Sequence, residues 1–165
     1  MTGSHFSRDT LEFIRLLSQH RVRYVVVGGE AVIYHGYARL TGDVDFFYEA
    51  TRMNAARLLA ALLDFWKGKI PGVKSVKDLL TKNLIIQFGV PPNRIDLVNA
   101  ITNVTFAEAW ASRMEERLKV GRQTCAVYFI GLEALIKNKR AVRRPKDLED
   151  LRYLQAAAHS SKQNT

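Results

Sequence analysis

Tyr24-Val25-Val26-Val27-Gly28-Gly29-Glu30 and Thr41-Gly42-Asp43-Val44-Asp45-Phe46-Phe47 decide how this chain folds. The first is an apolar, β-branched run, read as a buried strand from Arg23 to Val27 that stops at two glycines. A short helix from Glu30 to about Tyr34 follows, closed by Gly36. The second segment predicts a strand from Asp43 to Tyr48. Side chains alternate along a strand, so Asp43 and Asp45 share one face, with Cα atoms about 6.5–7 Å apart. Val44 and Phe46 then face a core. Two carboxylates held side by side repel unless a cation lies between them. Mg²⁺ takes hard oxygen ligands and is typically held by one or two carboxylates together with substrate phosphates. An isolated Asp-x-Asp also fits a solvated strand end, and Gly28-Gly29 also fits a tight strand-to-helix turn.

Upstream, Asp9-x-x-Glu12 predicts a capping box opening a helix to about His20, with Phe13, Ile14 and Leu17 on one face. Downstream of Thr51, Ala55, Leu58, Leu59, Leu62, Leu63 and Trp66 recur at three and four residues, an amphipathic helix. Residues 67–77 form a connection broken by Gly and Pro. Leu84 to Phe88 and Arg94 to Val98 predict two strands joined through Gly89-Val90-Pro91-Pro92-Asn93. Thr105-x-x-Glu108 caps a helix expected to reach about Arg117, and Gly121-Arg122 turns into a strand from Thr124 to Ile130. Helices from Leu132 to about Arg140 and from Lys146 to about His159 follow, separated at Arg144-Pro145. The order predicts an α/β (α+β) fold with a mixed sheet of about five strands flanked by helices. The expected organisation is a single domain over residues 1–159 with C-terminal helices, then a flexible tail over 160–165.

The chain has 165 residues, a formal net charge of +9, 47% hydrophobic and 25% charged residues, which excludes global disorder and matches a globular protein. No apolar run approaches the roughly 18–20 residues of a membrane span, and Met1-Thr2-Gly3-Ser4-His5 lacks the features of a signal peptide. A single cysteine, Cys125, forms no internal disulfide or thiolate metal cluster and alternates inward on its strand. A cytoplasmic location without membrane association is therefore expected. The excess positive charge favours an anionic partner such as a nucleotide or RNA. It is concentrated: six of the ten residues from Lys137 to Lys146 are Lys or Arg, with no carboxylate among them. The aromatic residues Phe46, Phe47, Tyr48 and Phe65 do not interleave with these charges, so no base-stacking platform is evident.

A third acid, Asp96, sits inside the apolar strand Arg94-Ile95-Asp96-Leu97-Val98 and needs a cation there: Arg94, Arg39 or a metal. A dinucleotide fingerprint is absent, because the next glycine after Gly29 is Gly36. Gly28-Gly29, Asp43-Val44-Asp45 and Asp96 together resemble the nucleotidyltransferase fold of the DNA polymerase β superfamily. More narrowly, the segment from Val25 to Phe47, with its Gly-Gly-Glu, His35-Gly36 and Gly42-Asp43-Val44-Asp45, is similar to AbiEii/AbiGii-type nucleotidyltransferase toxins of toxin–antitoxin and abortive-infection systems. The block from Leu132 to Leu151 is similar to theirs as well. The wider superfamily usually has Gly-Ser where this chain has Gly28-Gly29, whereas AbiEii relatives commonly carry two glycines.

The resemblance implies transfer of a nucleoside monophosphate from a nucleoside triphosphate (NTP, ATP among them) to an acceptor hydroxyl, dependent on Mg²⁺. Asp43, Asp45 and Asp96 would be the catalytic, metal-binding acids for two Mg²⁺ ions roughly 4 Å apart. Asp96 would also be a candidate base for the hydroxyl proton. Gly28 and Gly29 would cradle phosphates, with Arg39, Thr41, Lys137 and Arg140 as further nucleotide-binding residues; Lys137 in particular would contact the triphosphate. The acceptor implied is RNA, such as tRNA, or protein, with a cognate antitoxin as a further partner. The alternatives are a catalytically inactive nucleotide- or RNA-binding module of the same fold, and a small-molecule, antibiotic-type nucleotidyltransferase. His35 is expected to pack at a helix end, with a base role as the alternative, and Asp147 and Asp150 to be structural, Asp147 lying close behind the site.

Overall fold

The computed structural model describes residues 5–164. The elements are α1 (Arg8–Gln19), β1 (Tyr24–Val27), α2 (Gly28–Tyr34), β2 (Asp43–Tyr48), α3 (Arg52–Phe65), α4 (Val76–Leu79), β3 (Ile85–Phe88), β4 (Arg94–Val98), α5 (Phe106–Ala111), β5 (Met114–Val120), β6 (Gln123–Phe129), α6 (Leu132–Val142) and α7 (Pro145–Gln163). The strands form one mixed sheet in the order β3-β4-β2-β1-β6-β5. β2 is antiparallel to β1 and parallel to β4, and β1 is parallel to β6. The mixed α/β architecture expected from the element order is present, with six strands rather than about five. No described helix is long and apolar enough to cross a membrane.

The added strand is β5. The helix capped by Thr105 and Glu108 ends at Ala111, and Met114–Val120 pairs antiparallel with β6. Glu115, Glu116, Arg117 and Lys119 are good helix formers, which is why sequence reading carries the helix to Arg117. The turn at Gly121, where φ is +62°, instead folds the segment back along β6 and buries Leu118. At the other end, α1 is capped by Ser7, whose Oγ accepts from the Thr10 N–H at 3.1 Å, rather than by Asp9. α2 begins at Gly28, two residues before the expected start, so both glycines belong to its first turn. α7 continues through Gln163, past the tail boundary expected at Ser160. Residues 1–4 of the N-terminal segment and Thr165 lie outside the described residues.

Strand periodicity divides the core into two. Val26, Val44, Phe46, Ile95 and Leu97 pack with Phe13, Leu17, Leu58 and Leu62 of α1 and α3. Val25, Val27, Phe47 and Val98 pack on the opposite face with Ala31, Val32, Leu135, Ile136 and Leu154. A period of two then places Asp45 beside Phe47, and Asp96 beside Val98, on this second face at the end of the apolar layer. The hydrophobic pattern that anchors β2 and β4 therefore also aims the acids at the space in front of α2, α6 and α7.

Candidate active site

Parallel pairing of β2 with β4 sets Asp45 opposite Asp96 and Asp43 opposite Arg94. Asp43, Asp45 and Asp96 each offer a carboxylate oxygen, all within 4.8 Å of one another. Asp96 is buried at 4% exposure. Arg94 reaches across the group: its Nε–H donates to Asp96 Oδ1 at 2.8 Å, and Nη2 to Asp96 Oδ2 at 3.0 Å and Asp43 Oδ2 at 2.7 Å. Gln87 of β3 donates a further hydrogen bond to Asp96 Oδ2 at 3.2 Å. Of the cations the sequence offers for Asp96, Arg94 is the protein's own.

Asp45 has a different environment. Among the described residues no donor is directed at its carboxylate, and burial, followed by the charges of Asp43 and Asp96, pushes its carboxyl up to about 7. The charges of Arg94 and Lys146 offset this only in part. Three converging carboxylates, one of them lacking a hydrogen-bond donor, are a hard-oxygen donor set that fits a divalent cation of the Mg²⁺ type.

The acids open onto a cleft of about 480 Å³ whose wall includes Gly28, Gly29, Arg39, Thr41, Arg94, Lys139, Arg144 and Lys146. Gly28 has φ +66°, and a Cβ there would overlap Asp45 Oδ2. A Cβ on Gly29 would lie 2.6 Å from Thr41 Oγ1 and 3.1 Å from Arg39 Nη2. The two glycines thus let a carboxylate, a hydroxyl and a guanidinium close on the first turn of α2, and the Thr41 hydroxyl stands beside a residue that has none. Gly28→Ala is expected to destabilise the protein by about 1–3 kcal/mol, from backbone strain plus displacement of Asp45. Urea denaturation checks this, and a change below ~0.5 kcal/mol would mean that Asp45 relaxes freely.

Arg39 lines the cleft, as its candidacy requires, and is held from behind by Asp150 through Nε at 2.8 Å and Nη2 at 3.1 Å. Thr41 Oγ1 lies 3.3 Å from Asp43 Oδ1. Lys137 and Arg140, expected at the nucleotide, do not line this cleft. Lys137 pairs with Glu108 of α5 at 2.9 Å, and Arg140 lines a separate groove with Gln155 and His159 of α7. Nor do Lys137, Arg140 and Arg144 share a helical face, because Arg143 ends α6 in a left-handed conformation, φ 59°, and Arg144 caps α7. The cleft receives Lys139, Arg144 and Lys146 from the same basic block. Lys139 was legible: it lies three and four residues after Ile136 and Leu135, on the buried stripe of α6, whereas Lys137 points outward.

Behind the cleft, Lys139 is 3% exposed and bridges Asp147 at 2.8 Å and Asp150 at 3.0 Å. Burial alone would raise the Asp147 carboxyl, but hydrogen bonds from Arg144 and Lys139 and their charges outweigh it and hold it down at about 2. Asp147 and Asp150 are thus structural anchors that orient cations toward the cleft. His35 donates from Nε2 to the Ile130 carbonyl at 2.8 Å, and burial lowers its basicity, in keeping with helix-end packing.

The family described as a nucleotidyltransferase of unknown function (DUF6036) matches residues 8–159 of the chain. No curated protein matches it.

Proposed function

Because the chain belongs to the DUF6036 nucleotidyltransferase family, we propose that it transfers a nucleoside monophosphate from an NTP to an acceptor hydroxyl at the Asp43–Asp45–Asp96 cleft. The observation that carries this reading is the convergence of three carboxylates from β2 and β4 opposite four cations that are free of those acids. Asp43, Asp45 and Asp96 would hold Mg²⁺, in the two-ion arrangement that the resemblance implies. Bound there, the metal supplies charge neutralisation on the triphosphate and on the attacking oxygen.

The protein's own groups supply the rest. Arg39, Arg144 and Lys146 oppose the phosphate charge, and Gly28 and Gly29 let Asp45, Thr41 and Arg39 close on the first turn of α2, beside which phosphate oxygens would approach. The acceptor oxygen forms a bond to the α-phosphorus, the bond from that phosphorus to the bridging oxygen breaks, and pyrophosphate leaves with the bridging electrons. Asp96 would be the candidate base for the hydroxyl proton that the resemblance implies, once Arg94 no longer holds its carboxylate. Leu40 and Ile85, exposed at the mouth, offer apolar surface to a base.

A net charge of +9 supports an RNA acceptor, tRNA first among them, over a neutral small molecule. The likeness of the Val25–Phe47 segment to AbiEii/AbiGii-type toxins supports a toxin-like role with a cognate antitoxin. The test is incubation with each α-labelled NTP, Mg²⁺ and total RNA or lysate, comparing wild type with Asp43→Ala. Label in RNA or protein that disappears in the variant is expected. Label confined to small molecules would overturn the macromolecular acceptor. Nucleotide binding with no label in any fraction would overturn transfer itself and leave a binding module.

A further inference from the structure

Arg94 satisfies three of the six carboxylate oxygens that a divalent cation could use. Both Asp96 oxygens receive hydrogen bonds from its guanidinium, and so does Asp43 Oδ2. The oxygens it leaves are Asp43 Oδ1, within 3.3 Å of the Thr41 hydroxyl, and the Asp45 carboxylate, which no described group donates to. Arg94 is not deeply fixed: its side chain is 26% exposed, and it borders the cleft into which it would have to move. Geometry sets the register of this contact, since Arg94 stands directly opposite Asp43 and two residues before Asp96 on the same strand face.

We propose that Arg94 is a tethered internal cation, and that divalent-cation binding at this site is an exchange in which the Arg94 guanidinium leaves Asp43 and Asp96. This inference rests on the metal-binding reading given under the proposed function. The metal-free acids are then held together by a monovalent group, so three clustered carboxylates do not drive the strand ends apart. The incoming ion enters at Asp45, whose carboxylate is unengaged, and takes over Asp43 and Asp96 as the guanidinium withdraws. Withdrawal carries a positive group toward the part of the cleft that Arg39, Arg144 and Lys146 line, where a phosphate chain would lie. Metal binding would thereby add one cation to the anion-binding wall, and triphosphate would in turn favour the withdrawn position. Divalent cation and triphosphate should therefore each tighten the binding of the other beyond their direct contact.

The readout is Mn²⁺ binding by electron paramagnetic resonance, without turnover, on wild type, Arg94→Gln and Arg94→Lys at pH 8. Removing the competing charge is expected to tighten Mn²⁺ about tenfold or more in Arg94→Gln, with Arg94→Lys close to wild type. Folding of each variant is checked by circular dichroism. Should Arg94→Gln fail to fold, wild type alone suffices: the Arg94 Nε–H nuclear magnetic resonance signal should lose its slow solvent exchange when Mg²⁺ saturates the site. Mn²⁺ binding by wild type that is unchanged or weaker in folded Arg94→Gln, or an Nε–H that stays protected with Mg²⁺ bound, would overturn the exchange and leave the metal-site reading standing. Absence of Mn²⁺ binding in wild type and both variants would overturn both.

Discussion

Asparagine at position 45 is expected to abolish transfer while making the metal-free protein more stable at pH 8. The physical reason is that the Asp45 carboxyl is pushed up to about 7, first by burial and then by Asp43 and Asp96. Its folded-state value lies above the ordinary unfolded value near 4. The folded state then holds the proton more tightly, and ionising Asp45 costs stability as pH rises from about 4 through 7. The neutral Asp45→Asn side chain removes that cost, which is on the order of 1–3 kcal/mol after allowance for solvent at the cleft. A rise in Tm of about 5 °C at pH 8 that shrinks toward zero at pH 5 is the expected pattern. Activity should fall by about 10³-fold or more, because removing one acid of a metal site forfeits several kcal/mol of charge stabilisation. Wild-type affinity for Mg²⁺ should rise between about pH 6 and 8, since the ion must displace the Asp45 proton, and calorimetry in buffers of different ionisation enthalpy measures that release. A variant equally stable relative to wild type at both pH values would show that Asp45 is ionised without strain.

Lys139→Ala is expected to destabilise the fold by about 3 kcal/mol, the lower end of the range for opening a buried ion pair. Asp147 and Asp150 are 0% and 1% exposed, and Lys139 is the cation they share. The loss stays at the lower end because Arg144 still binds Asp147 at 2.7 Å and Arg39 still binds Asp150 at 2.8 Å. Because Asp147 is held down at about 2, its share of the stability is present above about pH 4 and lost as pH falls toward 2. Urea denaturation at pH 7 and pH 3 separates these contributions. A loss under ~1 kcal/mol at pH 7 would mean that water replaces Lys139 between the two acids. The same network ties function to stability: Arg39 and Arg144, which the two acids orient, are cations of the cleft wall.

Much of the site was legible in one dimension because strand periodicity is local. Alternation alone put Asp43 and Asp45 on one face and Val44 and Phe46 on the other. A charged residue between Ile95 and Leu97 announced itself as a buried acid needing a cation. The basic block was visible as composition, but which of its members reach the cleft depends on the buried stripe of α6 and on where that helix ends. Lys139 lies on the stripe and Lys137 and Arg140 lie off it, whereas Arg143 in the left-handed region and Pro145 at the first turn of α7 redirect the chain so that Arg144 and Lys146 line the cleft.

The sequence by itself determined the alternating acids, the glycine pair and the mixed order of strands and helices, since each follows from neighbours a few residues apart. Tertiary structure alone decided that Met114–Val120 is a strand, because its charged letters favour helix and only pairing with β6 overrides them. It also decided that β2 lies parallel to β4, which sets Asp45 opposite Asp96 and Arg94 opposite Asp43. Partner choice across a sheet depends on where distant apolar faces are buried, and no local propensity encodes it.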